Sequence, residues 1–293
     1  MRLLLTNKNN QVLDLYNNRT RWAVKRAVLH GIETEIAESD TPYMDGSNVD
    51  SVKALPRTIE IVLKLKGNVK ANIAYFTSIV KSKQYVTLRE IDGKRDITIR
   101  GIVTVPPYST MERSCEIAFN IYCGKPYWED LEYIVNSIKN TKDLLYFPMQ
   151  GQYFPYEGRL FGLIDMSLEK TFTNKGDTAV GMEISILALG KIVKPRISCS
   201  SGEQNGWYMQ VNVTLNADDE LKIITEKGKK QITINGSDLY TVSALQREPI
   251  LNLLEFVGND WLQLEQGENT FNVTAESGAT NAYLNMIYKG RYE

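Results

Sequence analysis

Residues equipped for chemistry are few in this chain. His30 is the only histidine among 293 residues. Histidine is the commonest general acid–base and the commonest transition-metal ligand, so a Ser-His-Asp or Cys-His site would have to be built on it. It sits in Ala27-Val28-Leu29-His30-Gly31-Ile32, with no serine or cysteine motif beside it. The three cysteines, Cys115, Cys123 and Cys199, form no CxxC pair, and a zinc site has no plausible ligand set. Cys115 and Cys123 fall in one strand-like run. Eight extended residues span about 26 Å, whereas a disulfide needs Cα atoms within about 7 Å. All three read as small buried apolar side chains. No phosphate-cradling glycine loop and no GxSxG elbow occurs. Carboxylate pairs such as Glu129-Asp130 and Asp218-Asp219-Glu220 satisfy the minimum for a glycosidase, but such runs are usually solvated turns. The expectation is no catalytic residue, no cofactor site, no metal site and no cofactor.

Charge points the same way. With 34 basic and 35 acidic residues, the formal net charge is −1. Nucleic-acid binders usually show a basic domain or stripe. Lys64, Lys66, Lys70, Lys81 and Lys83 are the nearest approach, and a solvated face explains them as well as a channel lining does. The apolar run Leu3-Leu4-Leu5 is too short for a signal peptide, and no stretch reaches the ~18 apolar residues of a membrane span. The expectation is a soluble product made in a cytoplasm.

The elements that would position these residues are mostly strands. In Arg57–Lys66, Ile59, Ile61, Leu63 and Leu65 alternate with Thr58, Glu60 and Lys64, the pattern of a half-buried strand. After Gly67-Asn68 the period changes. Val69, Ile73, Phe76 and Val80 share one face of a helix that Asn68 would cap. Asp92-Gly93 predicts a two-residue turn between strands 85–91 and 94–104, ended by Pro106-Pro107. Residues 114–122 alternate again. Leu131, Ile134, Val135 and Ile138 predict a short helix, and Pro148, Gly151, Pro155 and Gly158 mark loops, placing a domain boundary near residue 142. Strands are expected at 181–192, 195–198, 207–215, 220–225 and 230–234, with 270–275 and 282–288 as a final pair. Short antiparallel strands with turn signals suggest a sandwich.

The order of these segments resembles the phage distal tail protein family. The residues that carry the resemblance begin with Arg57-Thr58-Ile59-Glu60-Ile61, the helix at 68–82, the Asp92-Gly93 hairpin, and the strand ending at Gly124-Lys125-Pro126-Tyr127-Trp128. They continue through Asn174-Lys175-Gly176-Asp177, Gly181-Met182-Glu183-Ile184, Gly190–Ile197, Trp261–Asn269 and the closing Tyr288-Lys289-Gly290-Arg291-Tyr292. The match spans roughly residues 50 to 290, and the first 50 match least. The resemblance implies a mainly β protein: an N-terminal β-rich belt domain with one α-helix (1–142), then a C-terminal galectin-like antiparallel β-sandwich (143–293). It implies a structural, non-enzymatic virion protein of a long-tailed phage or prophage. Six copies would form a ring at the distal tail tip. Its partners would be the tail tube protein, the tail-tip or tail-associated lysin protein, and receptor-binding or adapter proteins. DNA would pass through the channel without specific binding, and no membrane would be involved.

Rival readings are a carbohydrate-binding β-sandwich module, another tail or tube component, and a glycosidase-type enzyme. Tyr127 and Trp128 suit either a subunit contact or the core, and Trp261 either a sugar site or packing beneath the sandwich.

Overall fold

The computed structural model describes residues 2–16, 21–40, 47–93, 95–111, 115–138, 141–143, 162–164, 168–241, 253–258 and 261–293. The chain divides into two compact units, one of Met1–Leu131 with Arg291–Glu293 and one of Glu132–Gly290. The sequence places a boundary near residue 142. The division falls after Leu131, and the last three residues return to the first unit.

The first unit runs β1 (Arg2–Asn7), β2 (Val12–Asp14), β3 (Trp22–Ala27), β4 (Thr34–Ser39), β5 (Asn48–Ala54), β6 (Arg57–Leu65), α1 (Val69–Ile79), β7 (Tyr85–Asp92), β8 (Arg95–Met111), β9 (Cys115–Cys123) and β10 (Trp128–Asp130). Its main sheet has the order β2-β1-β7-β8-β9-β6-β3, with β10 pairing both β8 and the C-terminal strand Arg291–Tyr292. Neighbouring strands are antiparallel, and alternation does the sorting. On β6, Ile59, Ile61 and Leu63 are buried while Thr58 and Lys64 face out. On β9, Ile117, Phe119 and Ile121 do the same. The two ends of the strand path meet, since the indole Nε1 of Trp22 on β3 donates to the carbonyl of Asp14 on β2 at 3.2 Å.

Helix α1 begins as expected. The Asn68 side chain accepts from the backbone N–H of Ala71 at 3.2 Å, satisfying one of the free donors of the first turn. Phe76 is fully buried, edge-on to Trp22 at 5.7 Å and tilted against Phe119 at 5.3 Å. The inward face also carries Asn72, whose amide donates to the carbonyls of Lys66 and Arg21 at 2.7 and 3.2 Å. These bonds tie the helix to the strand ends beside it and satisfy a buried polar group.

Two expectations in this unit need correction. Asp92 pairs with Arg95, so Asp92 belongs to β7 and the turn begins at Gly93, one residue later than expected. Gly93 supplies the positive φ of +60°. Pro106-Pro107 does not end β8. The register shifts on either side of Val105, and these irregularities accommodate two residues that lack a backbone donor.

The second unit contains β11 (Ile134–Ile138), β12 (Thr141–Asp143), β13 (Gly162–Ile164), β14 (Glu169–Asn174), β15 (Glu183–Ala188), β16 (Ile192–Val193), β17 (Arg196–Cys199), β18 (Tyr208–Val211), β19 (Thr214–Leu215), β20 (Glu220–Ile224), β21 (Gln231–Ile234), β22 (Ser237–Thr241), β23 (Leu254–Val257), β24 (Gly267–Thr274) and β25 (Ala282–Tyr288). One sheet has the order β11-β25-β15-β20-β21-β22, the other β14-β24-β17-β18-β23. Ile184, Ile186, Leu221, Ile223, Leu284 and Met286 from the first share one core with Phe172, Ile197, Met209, Phe271 and Val273 from the second. This is a two-layer antiparallel sandwich. Trp261 is buried in that core.

Here too the structure departs from the pattern. The helix expected around Leu131, Ile134, Val135 and Ile138 is a strand, β11, paired along β25. Its apolar spacing over eight residues fits either period, and the open edge of β25 decides. The segments 270–275 and 282–288 do not pair with each other, because β24 and β25 belong to opposite sheets. The run 181–192 breaks at Leu189-Gly190, and 207–215 breaks after Val211. The detached ends pair as β16 and β19. The loop residues Pro148, Gly151, Pro155 and Gly158 lie outside the described residues.

Phe76→Ala is expected to cost about 3–5 kcal/mol, from lost transfer energy plus the cavity left among Trp22 and Phe119. Val135→Ala, at a position 61% exposed, should stay within about 0.5 kcal/mol. Urea unfolding followed by circular dichroism separates the two.

Candidate functional site

His30 has a structural setting. Its Nε2 lies 3.0 Å from the buried Glu90 carboxylate, its ring packs 5.8 Å from that of Trp128, and its Nδ1 is 3.1 Å from the carbonyl of Glu293. Trp128 itself is fully buried and donates to the carbonyl of Leu29 at 3.0 Å. Together these contacts hold the segment that leads from β3 into β4. The thiol of this region, Cys123, stands opposite Arg57 in the β6–β9 register. Burial pushes it up to about 11 against the pull of the Arg57 charge, so at neutral pH it is a protonated, unreactive thiol. The same burial lowers the Arg57 guanidinium. Among the described residues no group of three or more His, Cys, Asp or Glu side chains is placed to hold a metal ion. No helix among them is long and apolar enough to cross a membrane.

What the first unit offers instead is surface. A groove of about 480 Å³ lies along β7, β8 and β9, with Tyr85, Arg100, Tyr122, Lys125, Tyr127 and Glu129 in its walls. Tyr85 and Tyr122 are 52% and 42% exposed, and the Arg100 guanidinium sits 4.7 Å over the Tyr85 ring. Tyr127 therefore lines a surface groove while its neighbour Trp128 fills the core.

Around the N-terminal end of β7 a second groove, of about 650 Å³, is lined by Lys8, Lys81, Lys83 and Arg100 with Asn9, Ser78, Ser82 and Gln84. No carboxylate is among the described residues that line it. Of the five lysines singled out from sequence, the structure brings Lys81 and Lys83 together here. Lys64, Lys66 and Lys70 are exposed elsewhere. Lys8 and Arg100 lie far from Lys81 and Lys83 along the chain, so no run of basic residues announces the cluster.

Sequence reasoning also passed over the hairpin of β4 and β5. Between Glu33 and Ala54 stand six acidic residues, Glu33, Glu35, Glu38, Asp40, Asp45 and Asp50, against one basic, Lys53. Every residue of β4 is exposed, and every residue of β5 except Ala54. Ile36 and Val52 pair across the strands, so they share a face, and they are 51% and 61% exposed. The excess of acid over base in this stretch was the available signal.

On the sandwich, the outer face of β17, β18 and β23 carries a polar network. The Tyr208 hydroxyl donates to Glu255 at 2.9 Å, which raises its pKa, and the Arg196 guanidinium lies 3.9 Å over the Tyr208 ring. Arg196 Nε donates to Gln210 at 3.1 Å. The groups satisfy one another.

Residues 175–292 match the family described as siphovirus-type tail component, C-terminal domain. No curated protein matches the chain by sequence. Among solved structures, the chain is similar to the phage SPP1 Dit (gp 19.1) protein, described as a paradigm of the hub adsorption apparatus in phages infecting Gram-positive bacteria. The TM-score is 0.60 at 11% identity, over 99% of both chains. A chain of the phage P2 baseplate in its activated conformation with Ca aligns at a TM-score of 0.39 and 13% identity, over 99% of this chain and 98% of that one.

Two outcomes are expected of the chemistry. In a native-state thiol titration at pH 8, the half-buried Cys115 reacts first, while Cys123 and Cys199 react only on unfolding. Rapid modification of Cys123 in the native state would contradict the assigned setting. Asp96 is held below the usual carboxylate range by its hydrogen bonds from Arg89, at 2.7 and 2.5 Å. The unfolded carboxyl titrates near 3.9, so this stabilisation is present above about pH 4 and is lost as pH falls through the lower folded value. Asp96→Asn should flatten that part of the acid limb in urea midpoints measured from pH 2 to 7.

Proposed function

We infer that this chain is a member of the phage distal tail protein family and take its role from that reading, which the tail-component match over residues 175–292 and the likeness in fold to SPP1 Dit support. Six copies form a ring at the distal end of a long non-contractile tail. The ring joins the tail tube to the tail-tip and receptor-binding apparatus of a phage or prophage. The first unit closes the ring and leaves an axial passage for DNA, and the galectin-like sandwich projects outward to meet adapter or receptor-binding proteins. The protein's work is mechanical, and no catalytic role is assigned to it. The observation that carries this reading is the tail-component match, together with a whole-chain fold similarity that leaves neither partner with a large unmatched domain.

The site chemistry supports it. A protonated buried thiol, a histidine packed against Trp128 and Glu90, and open charged grooves suit assembly better than turnover. Tyr208, flanked by Arg196, Gln210 and Glu255, is the feature that favours the carbohydrate-binding module instead. Those polar groups are engaged with one another, and this argues against an open sugar site.

Light scattering joined to negative-stain microscopy tests the assignment. Six copies of a 33.3 kDa chain give a particle of about 200 kDa with a central hole. A strictly monomeric protein that retains glycans would transfer the lead to the binding-module reading.

A further inference from the structure

The acidic hairpin and the basic groove are complementary in charge. The groove is built around Tyr85, where β7 begins. The segment leading into the hairpin is held at Glu90, five residues further along the same strand, by His30. Five extended residues correspond to about 17 Å. The described strands of the hairpin are exposed throughout apart from Ala54. A two-stranded hairpin is marginally stable alone in water, and this one exposes the cross-strand apolar pair Ile36–Val52. It is a structure awaiting a surface.

We propose that the β4–β5 hairpin of one copy docks into the Lys8–Lys81–Lys83–Arg100 groove of the next copy. The occupant is a second copy of this chain for three reasons. The arm carries six carboxylates against one lysine, and the groove carries four cations with no carboxylate among its described lining residues. The arm also brings an apolar pair, which a purely ionic partner such as a nucleic-acid backbone would leave in water, and the exposed Tyr85 in the groove gives that pair a surface. Finally, arm and groove lie at opposite ends of β7. A contact between two different patches of the same chain is heterologous, the type that propagates head to tail and closes a ring when the rotation permits. The inference rests on the ring reading above and supplies its joint.

The test uses the full chain. One double variant removes most of the arm's excess charge (Glu35→Lys with Glu38→Lys, leaving four acids against three lysines), and another neutralises the groove (Lys81→Glu with Lys83→Glu, leaving two cations against two carboxylates). Circular dichroism and Tm confirm folding. Each variant alone should lose the oligomer and run as a monomer. Their equimolar mixture should form a 1:1 heterodimer, because one intact arm and one intact groove remain. The wild-type oligomer should also dissociate between about 0.05 and 1 M NaCl, as the screening length falls from about 14 Å to about 3 Å. That titration, with the milder Glu35→Gln and Lys81→Gln changes, decides the matter even if the double variants unfold. Variants that keep the wild-type mass, or a mixture that stays monomeric, would overturn the docking while leaving the ring intact. So would a groove variant of unchanged mass that loses retention on DNA, since the groove would then serve the nucleic acid. A wild type monomeric at every concentration and ionic strength removes the ring reading, and the docking with it.

Discussion

Closure of the first sheet around Trp22 is the constraint on which the first unit depends. β2 and β3 end the strand path, and ends of this kind are exposed edges open to pairing with any other strand. The indole of Trp22 joins them through its bond to Asp14, and its buried face meets Phe76. Phe76 in turn meets Phe119 on β9. Aromatic pairs of this geometry contribute about 0.5–1.5 kcal/mol beyond the area they bury. The cluster therefore fixes the seating of α1, and α1 supplies one wall of the basic groove through Ser78 and Ile79, with Lys81 just beyond its C-terminal end. It also fixes β3 against β6, whose connection grows into the acidic hairpin.

Much of this framework was legible in the residues. The alternation in 57–65 and 115–123 identifies inward faces without ambiguity, because a strand has only two. Asn68 is a cap whose partner lies three residues away, an interaction local enough to read directly. What failed was decided at a distance. Ile134–Ile138 is a strand because β25 offers an unpaired edge, and nothing local to those residues says so. The registers that accommodate Pro106-Pro107 are set by β9. β24 and β25 part into different sheets because the chain crosses the sandwich between them. Asn235-Gly236 was readable and was overlooked. Both residues have positive φ, 49° and 77°, and the pair joins β21 to β22. It is among the strongest short hairpin signals.

The surfaces were less legible than the core. Periodicity reports burial, and a hairpin exposed on both faces has none to report. The sequence of β4 and β5 contains apolar residues in no helical or clean two-fold pattern, because neither face of the hairpin is buried. The basic groove was hidden for a different reason. Its four cations come from the β1 turn, the end of α1 and β8, so only folding brings them together.

A net charge of −1 invites the conclusion that electrostatics contributes little to such a protein. The sum conceals segregation. An arm with a local excess of five negative charges and a groove with four positive ones nearly cancel in composition while remaining at opposite ends of one strand. Interactions between exposed charges fade beyond about 10 Å in ordinary salt, so each patch acts on what comes close to it and is blind to the total. Near-neutrality as a whole is therefore compatible with strong and directional local contacts, and it keeps long-range repulsion between like copies small.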